Sequence, residues 1–275
     1  MHKMMHNYFI QLQYQGGLTM ILALDIGNTN IVLAFWDDDK LITTFRAETD
    51  KNRTADEYAV IFRNLSLMGN IAPDSISGAI ISSVVPPLNI PVKRALQRAF
   101  GVSALVVGPG IKTGLNIKID DPSQLGSDFV CGAVSAIAKY PQPTVIVDLG
   151  TATKFSALDK NGVFRGGSIC PGIKISLDAL SGGAAQLPHI SLDSPPESVI
   201  GTNSIDCMKS GIVYGTARMI DGIIDMYRKE LGDDLTVVAT GGFSEHIIPF
   251  CKSSIVRDEN IILDGLRIIY NKNVK

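Results

Sequence analysis

The sequence predicts an α/β fold made of two related halves, and three observations carry that reading. Of 275 residues, 45% are apolar and 19% charged, enough apolar material for two ordinary domains or one large one and too much for a disordered chain. The 26 glycines and 13 prolines punctuate apolar runs that stay far below the ~20 residues of a membrane span. The third observation is an internal repeat: ILALDIGNTNIVLAFWD (21 to 37) is echoed by VIVDLGTATKFSALD (145 to 159). Each copy is an apolar run ending in Asp-x-Gly, then a Thr-containing turn, then a second β-like run. Asp25 matches Asp148 and Gly27 matches Gly150, at an offset of 123 residues.

The elements come in the same order in both halves. After the first hairpin, KLITTFRAE alternates as a third strand, and Thr54 to Glu57 form a capping-box pattern ahead of Tyr58, Ile61, Phe62 and Leu65 on one helical face. GAIISSVV (78 to 85) reads as a buried strand. Val92, Ala95, Leu96, Ala99 and Phe100 then mark a helix stopped by Gly101, before a short strand at 104 to 107. In the second half VFRGGSI is the third strand, residues 204 to 230 hold long helical periodicity, and LTVVATGG (235 to 242) is a buried strand running into a glycine turn. Lys-Tyr-Pro-Gln-Pro, within 138 to 143, reads as the linker. The expected division is a leader over 1 to 19, an N-terminal domain over 20 to 140 and a C-terminal domain over 141 to 275. The leader, MHKMMHNYFIQLQYQGGLT, lacks the apolar core and cleavage site of a signal peptide, and Met20 is the expected functional start.

Charge and cysteine usage exclude several classes. Twenty-five basic and 27 acidic residues leave a net charge of −2, with no like-charge run to track a nucleic acid or an anionic membrane. Cys131, Cys170, Cys207 and Cys251 lie about forty residues apart, without a C-x-x-C pair or nearby His, so neither zinc nor a disulfide framework is expected. They read as small buried hydrophobes in a reducing, cytoplasmic compartment.

Asp25-Ile-Gly-Asn-Thr-Asn30 places a carboxylate at a strand end, a glycine at a tight turn, and hydroxyl, amide and backbone N–H donors around it. Phosphate oxygens and a hydrated metal ion require such a set. A plain hairpin turn is the competing reading, since Gly-Asn is a common turn pair. Recurrence of the pattern as Asp148-Leu-Gly-Thr-Ala-Thr153, with Thr240-Gly-Gly242 ending a later strand, favours phosphate-binding loops that converge on one nucleotide.

These loops resemble the duplicated fold of acetate and sugar kinases, heat-shock ATPases and actin. Within it the chain resembles the type III pantothenate kinases from Met20 almost to its end, through LDIGNTN, ETDKNRTADEY, ISSVVPP, VVGPGIKTGLNIKI, DP-x-x-LG-x-D, VDLGTAT, GGSICPGI, AAQLP, IGTNS, MKSGIVYG, ATGG and LDGLRIIYNKN. The resemblance implies two duplicated ribonuclease H-like domains of the actin-like ATPase fold, with a nucleotide cleft between them. It also implies ATP-dependent phosphorylation of pantothenate, the first step of coenzyme A synthesis, by a homodimer using Mg and a monovalent cation, potassium or ammonium. Carried over by position, Asp25, Ile26, Gly27, Asn28, Thr29, Asn30, Ile31, Val32 and Thr151 would bind ATP, with Asp25 holding Mg directly or through water. Asp148 would hold the monovalent cation. Gly126, Ser127, Asp128 and Ser204 would line the substrate, with Asp128 as general base. From the residues alone Asp128 also reads as an acid at a helix N-terminus, and the two readings are compatible. The family's pocket is completed by a partner chain, for which 204 to 230 is the candidate interface, with packing inside the monomer as the alternative.

Departures from the family pattern fall mainly on the pantothenate side. Phe129 replaces the arginine after the base, Ile119 a tyrosine, Gly183 an arginine near AAQLP, and Ser204 a threonine. Losing a charge-assisted guanidinium contact is expected to weaken binding roughly ten- to a hundredfold. Lys154 stands where the family has a second threonine, and Lys209 where it has glutamine. One reading has either lysine restoring part of the missing charge; the other leaves both solvated. Two further functions stay open at this level: a degenerate nucleotide-binding paralogue with a regulatory role, and a kinase of the same fold acting on another hydroxyl acceptor.

Overall fold

The computed structural model describes residues 20–274, so the leader expected over 1 to 19 lies outside the described residues. The chain divides into two compact units, the first ending at Val107 and the second beginning at Gly108.

The first unit runs β1 (Met20–Ile26), β2 (Asn30–Asp37), β3 (Lys40–Glu48), α1 (Ala55–Met68), β4 (Ile76–Ser83), α2 (Asn89–Phe100) and β5 (Ala104–Val106). Its sheet has the order β3-β2-β1-β4-β5. The first three strands are antiparallel, and β4 and β5 run parallel to β1. The central strands β1 and β4 read as near-continuous apolar runs because both their faces are covered. Leu22, Leu24, Leu33 and Phe35 pack against Tyr58 and Phe62 of α1 and Val92 and Leu96 of α2. The expected capping box is formed: Glu57 N–H donates to Thr54 Oγ1 (3.3 Å) and Thr54 N–H to Glu57 Oε2 (2.7 Å). Such a cap is worth about 1 kcal/mol to the helix.

The second unit runs β6 (Asn116–Ile117), α3 (Ser127–Lys139), β7 (Thr144–Leu149), β8 (Ala152–Leu158), β9 (Val163–Pro171), α4 (Ile173–Gly183), α5 (Ser204–Leu231), β10 (Thr236–Thr240), α6 (Ser244–Ile247), β11 (Val256–Arg257) and α7 (Ile261–Val274). Its sheet has the order β11-β10-β7-β8-β9-β6. Without the two-residue edge strand β6, this repeats the first unit strand for strand and direction for direction. The duplication read from two hairpins therefore extends through both sheets.

Alternation along β7 divides the second unit's core. Val145, Val147 and Leu149 face a cluster with Ile212, Val213 and Ile220 of α5, whereas Ile146 belongs to a cluster with Ala133 and Ala136 of α3 and Ile261 of α7. By the period of two, Asp148 falls on the side of Ile146, toward α3.

The structure differs from the sequence expectations in two places. The expected linker near 138 to 143, and with it the boundary at 140/141, lies inside the second unit. Lys139 pairs with Asp258 (2.6 Å) and Asp264 (2.5 Å), and Tyr140 Oη donates to Asp258 (2.8 Å). These bonds tie the end of α3 to the chain around α7, which makes α3 part of the second unit. Among the cysteines only Cys131 is buried; Cys170 and Cys251 are partly exposed and Cys207 is exposed, all with free thiols. Among the described residues no helix is long and apolar enough to cross a membrane.

Candidate active site

In the first unit, the loop from Asp25 to Asn30 closes β1 onto β2. Gly27 N–H donates to Asn30 O (3.0 Å), Thr49 Oγ1 donates to Gly27 O (2.7 Å) and Thr49 N–H to Thr29 O (3.0 Å), so a neighbouring segment holds the turn from behind. A Cβ on Gly27 would fall 3.2 Å from Asn30 O, which fits the glycine required at that turn. Asn28, Thr29 and Asn30 are exposed, while Ile26 and Ile31 are fully buried in the core. The two isoleucines can therefore meet a ligand only through their main chain. Asp25 lies at the end of β1 opposite Val32 of β2 and Ser82 of β4.

The second unit assembles a denser charged cluster. Asp148 of β7 and Lys154 of β8 are direct partners across the antiparallel hairpin, on one face of the sheet and at the closest cross-strand range. Lys154 Nζ lies 2.7 Å from Asp148 Oδ2 and 2.5 Å from Asp128 Oδ2. Asp128 reaches this face from the first turn of α3, where the helix dipole favours a carboxylate. Its other oxygen, Oδ1, accepts the Phe129 N–H at 2.9 Å. The three side chains are only 12%, 18% and 18% exposed for Asp128, Asp148 and Lys154. Burial drives the Asp148 carboxyl above its ordinary value, and Lys154 pulls it back. Burial likewise works against the Lys154 ammonium, but Asp148 and Asp128 together raise it above the ordinary lysine range. Lys154 is thus a buried, doubly paired cation and not a solvated lysine.

Two further features surround this cluster. Thr240 pairs with Asp148 in the sheet, and Gly241 follows at φ +91°, where an added Cβ would lie 2.5 Å from the Leu149 carbonyl carbon and 2.7 Å from Asp148 Oδ1. The Thr240-Gly-Gly242 turn and the Asp148 loop are therefore brought together, as the sequence suggested for these two. Phe129, at the position of the expected arginine, packs edge-on to Phe164 at 6.3 Å and lies under Lys154 Nζ, 5.1 Å from the ring centre. Ile119 packs against the same apolar cluster as Phe129, and of the two Phe129 lines the cavity with Asp128, Asp148 and Lys154.

The remaining predicted residues are placed less tightly. Gly126 is the N-cap of α3, and Ser127 is buried at its first position. Thr151 is exposed at the tip of the β7–β8 hairpin. Ser204 begins α5 and lines a separate groove with Leu180, Leu187, Cys207, Met208, Gly211 and Ile212, which shares no lining residue with the cavity of Asp128, Phe129, Asp148 and Lys154. Lys209 donates to Ser194 Oγ (2.8 Å) and takes no part in the charged cluster.

Two units that repeat one sheet order, each with an Asp-x-Gly hairpin at its centre, define the actin-like ATPase fold. The fold is shared with the ethanolamine utilization protein EutJ from Carboxydothermus hydrogenoformans, at a TM-score of 0.53 and 13% identity over 90% of this chain and 89% of that one. The profile of the type III pantothenate kinase family matches residues 21–226. Relatives of that name are 44% identical in Exiguobacterium sp. (93% of this chain, 100% of the relative) and 44% identical in Brevibacillus brevis (92% and 99%). The chain belongs to the type III pantothenate kinase family.

Proposed function

We propose that this chain transfers the γ-phosphoryl group of ATP to the terminal hydroxyl of pantothenate, the first step of coenzyme A synthesis. The observation that carries the reading is 44% identity to pantothenate kinases over 93% of the chain. In this reading the Asp25 to Val32 segment and Thr151 hold ATP, with the exposed donors of Asn28, Thr29 and Asn30 on the phosphates and Ile26 and Ile31 contributing main chain only. Asp25 is the carboxylate that would hold Mg, directly or through water, and that ion would neutralise charge on the phosphates when bound. Gly126 and Ser127 lead the acceptor to Asp128. Asp128 orients the hydroxyl and takes its proton as the oxygen bonds to the γ-phosphorus and the bond from that phosphorus to the β–γ bridging oxygen breaks, releasing ADP. Two of its lone pairs are committed to Phe129 N–H and Lys154, and the other two stay available. The monovalent cation implied at Asp148 does not fit the residues present, because Lys154 already occupies that carboxylate.

Asp128→Asn tests this assignment. ADP release with Mg and pantothenate is expected to fall roughly a hundredfold or more, while nucleotide still raises the melting temperature. Turnover that survives the change removes Asp128 from its role.

We also propose a cytoplasmic homodimer. The groove at Ser204 is mostly apolar, and Leu180 (41%) and Ile205 (46%) beside it are exposed, as suits a helix face covered by a second copy. In this arrangement the partner chain supplies Ser204, which explains why it stands apart from Asp128. A solution mass near one chain, 29.5 kDa, would contradict it. Phe129, an apolar residue beside Asp128 in the cavity, favours one second reading, a kinase whose acceptor is less anionic than pantothenate; the same assay with neutral alcohols separates the two.

A further inference from the structure

We propose that Lys154 is a tethered cation that takes the place of a bound monovalent ion at Asp148, so that this kinase turns over without added potassium or ammonium. The inference rests on the kinase reading above. Its basis is geometric: one ammonium lies 2.7 Å from Asp148 and 2.5 Å from Asp128, with the Phe129 ring below it and Gly241 near enough to the other Asp148 oxygen that a Cβ there would fall 2.7 Å from it. A free cation brought to the same carboxylate would meet a like charge in a shielded pocket, where repulsion is much stronger than in water. A lysine ammonium carries the unit charge of potassium and offers three N–H donors to oxygens. Two are committed to the carboxylates, which leaves one for a further oxygen.

The lysine is not a requirement of the hairpin. In the first unit Val32 lies opposite Asp25 across a turn one residue longer, so an Asp-x-Gly hairpin also closes with an aliphatic residue at the paired position. The placement also does what a dissociable ion could do only when bound: it links the proposed base on α3 to Asp148 of β7 through a group that belongs to the chain. Tethering makes that occupancy intramolecular. Lys154 is therefore a positioning residue acting through Asp128 and Asp148.

The test uses the purified full chain in tetramethylammonium buffer, with potassium or ammonium chloride added at constant ionic strength. Wild-type ADP release with pantothenate is expected to change by less than about twofold on adding either ion. Lys154→Thr, the residue of the family pattern, is expected to lose about tenfold or more without the ions and to recover most of it with them. Recovery by an ion is a readout that a merely structural role would not give. Wild-type activation above about fivefold, or Lys154→Thr as active as wild type in tetramethylammonium alone, overturns the inference. If no ion supports turnover, the kinase reading fails, and ATP binding then decides the inference. An ATP-dependent rise in wild-type melting temperature that is equal in both buffers supports it, and a rise that requires potassium overturns it.

Discussion

At the residue scale, the charged cluster of the second unit consists of one ammonium group and two carboxylates. Replacing Lys154 by Met would leave Asp148 and Asp128 facing each other in a shielded place, at a cost on the order of 3 kcal/mol. The cost has a defined pH dependence. Burial holds the folded-state value of Asp148 above its unfolded one, so its folded-state proton stabilises the variant fully below the unfolded value, and that contribution is lost as pH rises through the raised one. Lys154→Met is therefore expected to lose more stability at about pH 8 than at about pH 5, measured by chemical denaturation. A penalty independent of pH would show that the carboxylates do not depend on the lysine for their charge. Lys154 was legible in the sequence as a departure from the family pattern, yet its partners were not. The missing step was the register: a hairpin centred on Thr151 sets residue 154 opposite residue 148, and opposite charges at such a pair attract.

At the scale of elements, the sequence carried most of the information wherever local chemistry decided the outcome. The capping box at Thr54 and the left-handed Gly101 that ends α2 are set by a few adjacent residues, and both are where the pattern puts them. Tyr-Pro-Gln-Pro has the composition of a loop, while the contacts that bind it into the second unit, from Lys139 and Tyr140 to Asp258 and Asp264, span more than a hundred residues of sequence and leave no local signal. The glycine after Thr240 shows how one element supports another. Gly241→Ala would force a positive-φ residue and press a methyl group against Leu149 and Asp148. It is expected to cost more than about 1 kcal/mol in stability and to lower ADP release by displacing the Asp148 carboxylate. Full activity with unchanged melting temperature would show that this turn does not support the site.

At the scale of the whole molecule, duplication explains both what is common to the two units and what separates them. One sheet order is used twice, and each central strand ends in an Asp-x-Gly loop. The two loops have diverged in the residue that faces the aspartate: Val32 in the first, Lys154 in the second. Asp148 is paired with a permanent charge, whereas Asp25 is the carboxylate assigned to Mg in the proposed reading. The composition, with 27 acidic and 25 basic residues, conceals this difference, because net charge is silent about local fields. The most direct test of the proposed kinase activity is transfer of the labelled γ-phosphoryl group of ATP to pantothenate by the purified protein with Mg, beside Asp128→Asn. One labelled phosphopantothenate per ADP is expected from the wild type and almost none from the variant. ADP formed without labelled phosphopantothenate, or equal labelling by both proteins, would contradict it.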